Sequence, residues 1–467
     1  MRRISYFALF SFLVTAAIVL LSCGGGSSGS NSSNMGTVSV SISDPPTCAA
    51  PQGPYSHVYV TITDVQIHTS ANAGANDPNW VDLTPNLPNN PAQVDLLGMA
   101  NQCFLAMLGS TGIQPGTYQQ ARIFLADNNA PVPNNKCDTS ANCLMLTSDP
   151  GTPIPLELSS QAKTGIKIPS GQLAGGKFEV APGDNKDLNI DFNACTSIVA
   201  QGNGKYRLKP VLHGGEVASQ SSSTSISGTV VDSVTLQPIA GGNTVVALEQ
   251  NQNGVDRVIM ETVTGSNGGF AFCPVAAGTY DVVVTAVDGV GTAYAATVIT
   301  GVQPGNTLGN VPLTAATLPA SITGEITSST GSAPVAVDLS VSALQSIGAN
   351  LLVTVPLAEQ SASTETLETV SDVSCPANTD CVNYTLAVPA ANPSIGAFNP
   401  GGNQTPAPPA PGPVGYTVDA NAFVTGTNLA DCTQPNLQTN MTDTNAPLTV
   451  TPGGSVTAAT MAFTGCQ

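Results

Sequence analysis

The chain has few of the side chains on which most enzymes depend. Only 9% of its 467 residues are charged, and its three histidines, His57, His68 and His213, leave about the last 250 residues without one. No GxSxG elbow, HExxH pair, phosphate-binding loop or dinucleotide fingerprint occurs. A nucleophilic serine needs an adjacent base, which most of the chain lacks. The sequence therefore predicts a protein without catalytic activity, and a hydrolase with two facing carboxylates is the least favoured alternative.

Basic residues are also scarce, at 12 Lys and Arg against 30 Asp and Glu, and the formal net charge is −18. The shortage is greatest late in the chain, where Arg257 is the only base after Val217. An acidic surface repels other polyanions. We therefore expect no nucleic-acid partner.

Long apolar runs are limited to the N-terminus, where residues 8–21 follow Arg2 and Arg3. A basic segment, a short apolar segment and a small-residue cleavage point predict a secretory signal peptide over residues 1–22. A membrane helix at the N-terminus is the alternative interpretation. No later run approaches the roughly 20 residues that span a bilayer.

The residue at the predicted cleavage point is Cys23, in the order Leu-Leu-Ser-Cys. This order resembles the lipobox of bacterial lipoproteins, which implies that Cys23 is lipidated and becomes the mature N-terminus. The Gly- and Ser-rich residues 23–35 then form a flexible tether to the membrane. An ordinary signal peptide with a chance cysteine is the alternative. We expect a lipid-anchored protein of the cell envelope, at the outer membrane or the cell surface.

Eleven cysteines occur, so removal of Cys23 leaves an even number. An even number in a secreted chain predicts disulfides. Two pairs share one spacing in turn-rich segments and a third closes the end of the chain: Cys137–Cys143, Cys375–Cys381 and Cys432–Cys466. The sequence leaves open how the others pair: Cys48, Cys103, Cys195 and Cys273. No CxxC pair is present, so we predict no metal site among the cysteines.

The first predicted domain spans residues 36–217. Residues 37–43 alternate between polar and apolar, and residues 57–68 form a longer strand whose apolar parity changes near Asp64, which predicts a bulge. Residues 94–108 have the apolar spacing of a short helix. Further strands are predicted at residues 119–125, 154–158, 177–180, 188–192 and 206–212. We therefore expect a mainly β domain with one or two short helical segments.

Several motifs follow one another through this domain. They are Val40-Ser-Ile-Ser-Asp-Pro45, Val58-Tyr-Val-Thr-Ile-Thr-Asp-Val65, Val94-Asp-Leu-Leu97, Pro115-Gly-Thr-Tyr118, Gln120-Ala-Arg-Ile123, Thr164-Gly-Ile-Lys-Ile-Pro-Ser-Gly171, Asp191-Phe-Asn193 and Gly204-Lys-Tyr-Arg-Leu-Lys-Pro210. This order resembles a domain of unknown function, DUF4382, of bacterial and archaeal surface lipoproteins. The resemblance implies a surface location and brings no activity with it.

A polar linker at residues 218–224 precedes the second predicted domain, residues 225–314. Its order is Ser225-Ile-Ser-Gly-Thr-Val-Val-Asp232, an Asn267-Gly268 hairpin turn, Phe270-Ala-Phe272, and Gly278-Thr-Tyr-Asp-Val-Val-Val284. This order resembles the carboxypeptidase regulatory-like domain, a seven-stranded sandwich of the transthyretin type. The resemblance implies an accessory module rather than an enzyme.

The third predicted domain spans residues 318–467, because Ser321-Ile-Thr-Gly-Glu-Ile326 repeats the pattern that begins the second. Strands are predicted at residues 335–341, 351–355, 384–388, 416–424 and 455–463. An Ig-like fold is one alternative for this domain. The Pro-rich residues 392–413 are expected to form an exposed insertion. The fold class expected for the whole chain is mainly β, with tandem antiparallel β-sandwich domains.

Charged side chains offer two candidate sites in the first domain. Lys205, Arg207 and Lys209 alternate along an extended segment and therefore share a face. One interpretation is that this face docks an anionic ligand or the acidic later domains. The other, which we favour, is that it is a solvated surface paired with local aspartates. The local aspartates are Asp184, Asp187 and Asp191.

Metal ligands are the second candidate. Six aspartates would suit calcium by their chemistry, but they lack EF-hand spacing: Asp44, Asp64, Asp82, Asp95, Asp187 and Asp191. His213-Gly-Gly-Glu216 matches the HxxE pair of zinc carboxypeptidases. The pair lies in a Gly-rich segment without a third ligand, so we attribute it to chance. No cofactor is predicted, and calcium is a weakly supported alternative.

These features favour a non-catalytic surface protein that binds carbohydrate or another cell-surface polymer. The accessory-type sandwich, often grouped with starch-binding-like folds, favours this function. The tyrosines and the single tryptophan, Trp80, could stack on sugar rings, although Trp80 would serve equally well in a core. The alternative is a structural, adhesive or assembly stalk built from disulfide-linked sandwiches that binds a surface protein.

Overall fold

The computed structural model of the protein describes residues 35–43, 55–71, 73–97, 106–158, 165–200, 204–208, 212–217, 225–348, 350–424 and 432–466. About 56% of the described residues are in strands and 4% in helices. This composition and the separate sheets described below confirm a mainly β, multi-domain sandwich fold. No helix among these residues is long and apolar enough to cross a membrane.

The first module, residues 36–217, has two main sheets that share one hydrophobic core. Its strands are β1 (Gly36–Ser43), β2 (Tyr55–His68), β3 (Val81–Asp82), β4 (Ala92–Asp95), β5 (Ala106–Ile113), β6 (Gly116–Tyr118), β7 (Gln120–Leu125), β8 (Cys143–Leu146), β9 (Asp149–Leu158), β10 (Ile166–Ile168), β11 (Phe178–Val180), β12 (Asn185–Phe192), β13 (Ile198–Ala200), β14 (Tyr206–Leu208) and β15 (Leu212–Val217). One sheet has the order β15-β12-β1-β5 and the other β10-β7-β2-β8-β9-β14-β13, with β3 and β4 also on β2.

Alternation along the sequence determines which side chains enter this core. Val38, Val40 and Ile42 are fully buried, because side chains two apart point to the same face of a strand. The register between β2 and β7 shifts between Ile62 and Asp64. The bulge predicted near Asp64 from the parity change is therefore confirmed.

The helix predicted at residues 94–108 is wrong at both of its described ends. Val94 lies in β4, where it pairs with Val60 of β2, and residues 106–108 begin β5, which pairs with β1. Residues 98–105 lie outside the described part of the chain. Sheet pairing therefore overrides a local apolar spacing. The helical turns of this module are instead short: Ser170–Gln172, Ala174–Gly176 and α1 (Ala194–Ser197).

The strand predicted at residues 206–212 is two strands. Tyr206–Leu208 pairs with β9 and β13 in one sheet, whereas Leu212–Val217 pairs with β12 in the other. Residues 209–211 lie outside the described residues. The chain therefore passes from one sheet to the other between Leu208 and Leu212. The alternating sequence of residues 206–212 does not reveal this change.

The second module, residues 225–314, is a smaller sandwich. Its strands are β16 (Ile226–Asp232), β17 (Asn243–Gln252), β18 (Val255–Val263), β19 (Gly269–Phe272), β20 (Tyr280–Val287), β21 (Thr297–Val302) and β22 (Thr307–Leu313). The sheet β19-β16-β22 packs against β21-β20-β17-β18. Phe270, Phe272 and Tyr280 are buried between the two sheets, as the pattern predicts. The turn before β19 requires Gly268, which has φ of +75°.

The third module, residues 318–467, is a second sandwich with its own core. Its strands are β23 (Ala320–Ser328), β24 (Val337–Gly348), β25 (Leu351–Val355), β26 (Glu365–Glu368), β27 (Asp380–Val388), β28 (Ser394–Ala397), β29 (Val414–Val424), β30 (Asn436–Gln438), β31 (Leu448–Val450), β32 (Ser455–Thr457) and β33 (Met461–Phe463). A short helix, α2 (Thr439–Thr442), follows β30. One sheet contains β25-β24-β29-β30, and the other contains β27, β23, β32 and β33.

The second and third modules share one 11-stranded sheet. Strand β18 pairs in parallel with β25 at Val255–Leu352, and β21 pairs in parallel with β28. Strand β28 belongs to the Pro-rich residues 392–413, so the predicted insertion is paired at Ser394–Ala397, while most of residues 399–413 are exposed as predicted. Gln404, only 2% exposed, donates a 2.7 Å hydrogen bond to the carbonyl of Leu308 in the second module. The open edge of β21 gives this segment backbone partners that its composition does not indicate.

The three predicted disulfides, Cys137–Cys143, Cys375–Cys381 and Cys432–Cys466, are present. Cys273 is also disulfide-bonded. The predictions for Cys23, Cys48 and Cys103 lie outside the described residues. The third bridge joins buried sulfurs at the end of the last module, so it holds the C-terminal strand segment in the core.

We expect the three bridges to differ in their contribution to stability. Cys432 and Cys466 are 34 residues apart, whereas Cys137 and Cys143 are six apart. Loop-closure entropy then predicts a loss of about 4 kcal/mol for the Cys432→Ser/Cys466→Ser variant and about 2 kcal/mol for Cys137→Ser/Cys143→Ser. Urea unfolding of both variants checks this, with the disulfide-bonded wild type as reference. Equal losses would contradict the entropic account.

Candidate ligand cleft

An open cleft of about 420 Å³ lies where the three modules meet. The first module contributes the turn at Ser170 and Gly171, and the second contributes the hairpin between β17 and β18, including Gln252. The third contributes side chains of β29 and β30, among them Asn421 and Gln438. Known small-molecule sites have volumes of roughly 300–1,000 Å³. The cleft is therefore large enough to hold a ligand, and it exists only while the modules are docked.

A buried ion pair between Arg257 of β18 and Asp419 of β29 forms one wall of the cleft. Arg257 Nη2 donates to Asp419 Oδ1 at 3.0 Å, and Nη1 donates to Oδ2. Asp419 also accepts from Gln438 at 2.7 Å, Asn436 at 3.0 Å and Asn421 at 3.1 Å. Asp419 is fully buried, so every oxygen is satisfied by protein donors. Such a carboxylate fixes the orientation of all four side chains around it.

The electrostatics of this pair keep both groups charged. Burial alone would raise the pKa of Asp419, but the charge of Arg257 and the amide hydrogen bonds outweigh burial and hold the pKa below its usual value. Burial lowers the pKa of Arg257, and the neighbouring Asp419 more than compensates. The pair is therefore neutral as a unit.

Amide side chains dominate the rest of the lining. They are Gln120, Gln252, Asn253, Asn421, Asn436 and Gln438. Because the NH₂ groups of Asn421, Asn436 and Gln438 donate to Asp419, the carbonyl oxygens of Asn436 and Gln438 are left as acceptors for a ligand. No Asp or Glu lines the cleft among the described residues. The cleft is thus polar but uncharged.

The lining also contains apolar side chains, among them Phe423 and Met441. Phe423 is half-buried, and Met441 is 66% exposed. Amides that accept hydroxyl hydrogens, set beside an aromatic ring, suit a ligand with many hydroxyls and an apolar ring face. Sequence reasoning missed this set, because its members come from distant parts of the chain. The one available signal was the single late base, Arg257.

The predicted basic face is divided between partners. Lys205 Nζ lies 3.0 Å from Glu157 Oε1 in its own module, and Arg207 lies 3.7 Å from Glu368 of the third module. Lys209 is outside the described residues. The partners of Lys205 and Arg207 thus differ from the local aspartates that we named. Arg207 instead forms an ion pair with the third module. This contact agrees with the alternative in which the basic face docks the acidic later domains.

Trp80, His213 and Glu216 do not line the cleft. The Trp80 ring covers the Arg122 guanidinium at 3.9 Å, and its indole N–H donates to the carbonyl of Gly74 at 2.9 Å, so one ring face is already occupied. His213 and Glu216 are three apart in β15 and point to opposite faces, and Glu216 pairs with Lys186 at 2.7 Å.

Of the aspartates named for calcium, Asp64 and Asp82 lie within hydrogen-bonding distance of each other, whereas Asp95 and Asp191 have other partners. Asp95 lies 2.6 Å from His57, Asp191 accepts from Ser43, and Asp64 accepts from Thr84. Asp44 lies outside the described residues. Throughout the described ranges, no three His, Cys, Asp or Glu side chains come together as a metal site would require.

Buried carboxylates join the second module to the third beside the cleft. Glu249 Oε2 accepts the N–H of Thr354 at 3.0 Å, and Glu261 Oε2 accepts the N–H of Ser363 at 2.6 Å. Burial, with the charge of a neighbouring acid added, raises the pKa of Glu249 well above its usual value. Sequence reasoning missed these residues too, although an acid inside the apolar run of β17 was a usable signal.

Breaking the ion pair should destabilise the protein strongly. We expect Arg257→Met to lower the free energy of unfolding by about 3–5 kcal/mol, because it leaves Asp419 buried without a countercharge. The double variant Arg257→Met/Asp419→Asn should recover part of the loss, since asparagine is neutral. Arg207→Met is the matched control and should cost at most about 1 kcal/mol, because its pair with Glu368 is partly exposed. Chemical unfolding measures all three, and equal losses for the two arginines would refute this ranking.

Stability should also fall as the pH rises. Burial, with a contribution from the charge of Asp256, raises the pKa of Asp281 from 3.8 to about 7. The folded state therefore keeps a proton that the unfolded chain has lost, and this stabilisation is present below pH ~4 and disappears as the pH rises through 7. Unfolding of wild type and Asp281→Asn between pH 5 and 8 should show a shallower slope for the variant, by up to about 1.4 kcal/mol per pH unit.

Asp288→Asn is the control for this measurement. Slight burial raises the pKa of Asp288, but hydrogen bonds from the backbone N–H groups of Thr292 and Val290 lower it more. The net effect is a pKa below the usual value, so Asp288 is ionised throughout pH 5–8. This variant should keep the wild-type slope. A wild-type slope in Asp281→Asn would show that Asp281 does not carry the dependence.

No protein of curated function matches the chain in sequence. Among solved structures, the chain aligns over 92% of its length with 50% of the Bacillus anthracis TIE protein, at 8% identity and a TM-score of 0.16. It aligns over 52% of its length with 26% of a leucine-rich repeat protein from Bacteroides thetaiotaomicron, at 11% identity and a TM-score of 0.21. It also aligns over 52% of its length with 96% of the minor pilin GBS52 of Streptococcus agalactiae, at 10% identity and a TM-score of 0.18.

The chain therefore spans about half the length of the first of these proteins and about a quarter of the second. At TM-scores this low, neither fold nor function is transferred from them. The family comparison is more specific, because residues 35–210 match the model of the DUF4382 family, a domain of unknown function. The resemblance of the first module to DUF4382, inferred from its motifs, is therefore confirmed over residues 35–210.

Proposed function

We propose that the protein is a non-catalytic envelope protein that binds a neutral polysaccharide in the cleft between its three modules. The single observation that carries this proposal is the lining of the cleft. Six amide side chains and no carboxylate line it among the described residues, in a chain with a net charge of −18. An uncharged polar ligand is the chemistry that such a lining recognises.

Hydrogen-bond directions support a polyhydroxyl ligand. The carbonyl oxygens of Asn436 and Gln438 can accept from hydroxyls, and amides that both donate and accept match hydroxyls that do the same. The ring of Phe423 offers an apolar surface for the face of a sugar. A charged polymer is disfavoured, because the only base of the lining, Arg257, is neutralised by Asp419. The open shape suits a polymer segment rather than an enclosed small molecule.

The remaining parts of the proposal come from the sequence. Lipidation of Cys23 would attach the protein to the membrane, and the tether at residues 23–35 would hold the first module close to the outer membrane or cell surface. The second module, residues 225–314, is proposed to be a carboxypeptidase regulatory-like accessory sandwich. Such a placement suits a receptor for an envelope or extracellular glycan.

A structural or adhesive role is the second candidate, and one observation favours it. The second and third modules share an 11-stranded sheet, which would make this part of the chain a rigid rod. A stalk protein would associate with a surface protein or with copies of itself. Light scattering that shows a strict monomer without a co-purifying partner would argue against it.

A plug in the cleft tests the binding proposal. A Cβ at Gly171 meets no atom within 4 Å, and its φ lies outside the left-handed region, so Gly171→Trp should fold and fill the cleft. We expect the full-length protein in detergent to bind one of six neutral polysaccharides: amylose, β-glucan, mannan, galactan, xylan and arabinan. Isothermal titration should show that Gly171→Trp loses this binding.

The matched control is Gly151→Trp, at a glycine of β9 that also meets no atom within 4 Å and does not line the cleft. It should bind as the wild type does. Absence of binding to all six polysaccharides by a folded wild type would refute the proposal. Unchanged binding by Gly171→Trp would place the ligand elsewhere.

A further inference from the structure

A small inner pocket of about 40 Å³ adjoins the cleft at its wall. The two cavities share Pro169, Gly171, Arg257, Asn421 and Phe423. The pocket, like the cleft, is built by all three modules. A ligand that lies along the cleft can therefore reach into the pocket with a side group.

The pocket is lined by polar groups that lack protein partners. Four of its side chains make no hydrogen bond to any other described residue: Gln172, Ser340, Ser342 and Thr364. Ser342 is only 5% exposed, and His213 is 3% exposed with no partner for its Nδ1 within the described ranges. Buried polar groups in folded proteins are nearly always hydrogen-bonded. Only Ser342 and His213 are buried among these groups, since Gln172, Ser340 and Thr364 are half-buried, so these two point to a hydrogen-bonding occupant of the pocket.

The positions of these side chains make the set a built site. Ser340 and Ser342 are two apart in β24 and so point to the same face. His213 reaches the pocket from β15 of the first module, and Gln172 from the 3-10 turn Ser170–Gln172. The first and third modules thus present a hydroxyl pair, an imidazole and an amide to one pocket.

Size and charge define what fits there. One water needs roughly 10–15 Å³ of such a cavity, so about three water-sized atoms fit and a sugar ring does not. Burial lowers the pKa of His213 to about 4, so the imidazole is neutral near pH 7. Arg257 is already paired with Asp419. A charged group would enter without a countercharge and lose its hydration.

We infer that the inner pocket receives the uncharged hydroxymethyl group of a hexose unit of the bound polysaccharide. This inference rests on the proposed function and adds a specificity to it. A hydroxymethyl group has one carbon and one hydroxyl, which fit the volume, and the hydroxyl both donates and accepts. Xylan is built from pentopyranose units that lack this group, so it would leave Ser340, Ser342 and His213 without this partner.

The neutral polysaccharides above also test the inference, since xylan is built from pentopyranose units without a hydroxymethyl group. The full-length wild type should bind a hexose polymer at least roughly tenfold more tightly than xylan, the cost of leaving one or more buried polar groups unpaired. Ser342→Ala should weaken binding of the hexose polymer by roughly tenfold and reduce the preference for hexoses. His213→Phe, which keeps the ring and removes its nitrogens, should act in the same direction.

Ser346→Ala is the matched control, because Ser346 is exposed on the same strand and does not line the pocket. It should bind as the wild type does. Equal binding of xylan and a hexose polymer would overturn the inference, as would wild-type affinity in both Ser342→Ala and His213→Phe. If Gly171→Trp abolishes binding while these two variants retain it, the cleft stands as the site and the pocket is filled by water alone. If no polysaccharide binds, the proposed function fails and this inference with it.

Discussion

The arrangement of the modules depends on one buried ion pair, Arg257 with Asp419. Removing two charges from water costs several kcal/mol each, and their attraction offsets this only with excellent geometry and full hydrogen bonding. The structure supplies both, since the contact is bidentate and three amides satisfy the carboxylate. Apolar residues of similar volume could give as much stability, but they would not fix one orientation so sharply. The only base after Val217 is therefore used for the geometry of a junction rather than for a surface.

The cleft follows from this junction. Asp419 holds Arg257 from one module and orients Asn421, Asn436 and Gln438 of another, so the docking contact and the lining of the cleft are the same set of side chains. The shared sheet and the hydrogen bonds of the interface glutamates restrict sliding of the two sandwiches. A ligand that touches all three modules must bind the docked arrangement better than any open one. Ligand binding and module docking are therefore thermodynamically linked.

Local patterns in the sequence predicted much of the fold and little of the cleft. Alternation placed the core of β1, parity located the bulge near Asp64, and equal spacing identified two disulfide loops. The helix expected at residues 94–108 failed, because pairing of Val94 with Val60 is a long-range contact that outweighs helical spacing. The Pro-rich residues 392–413 are exposed over much of their length, as predicted, but an open strand edge in another module pairs with residues 394–397, which composition does not indicate.

The cleft itself could not be predicted, because its members are brought together only by docking. The hydroxyls of β24 occur in an alternating strand and look like ordinary outward-facing polar residues. Only the packing of β15 and the Ser170–Gln172 turn over them reveals that Ser342 is buried and unpaired. A core that served stability alone would favour apolar side chains at such a position, because an unpaired buried hydroxyl costs about 1–3 kcal/mol. The burial of Ser342 and His213 beside one cavity is therefore better explained by recognition of a ligand than by folding.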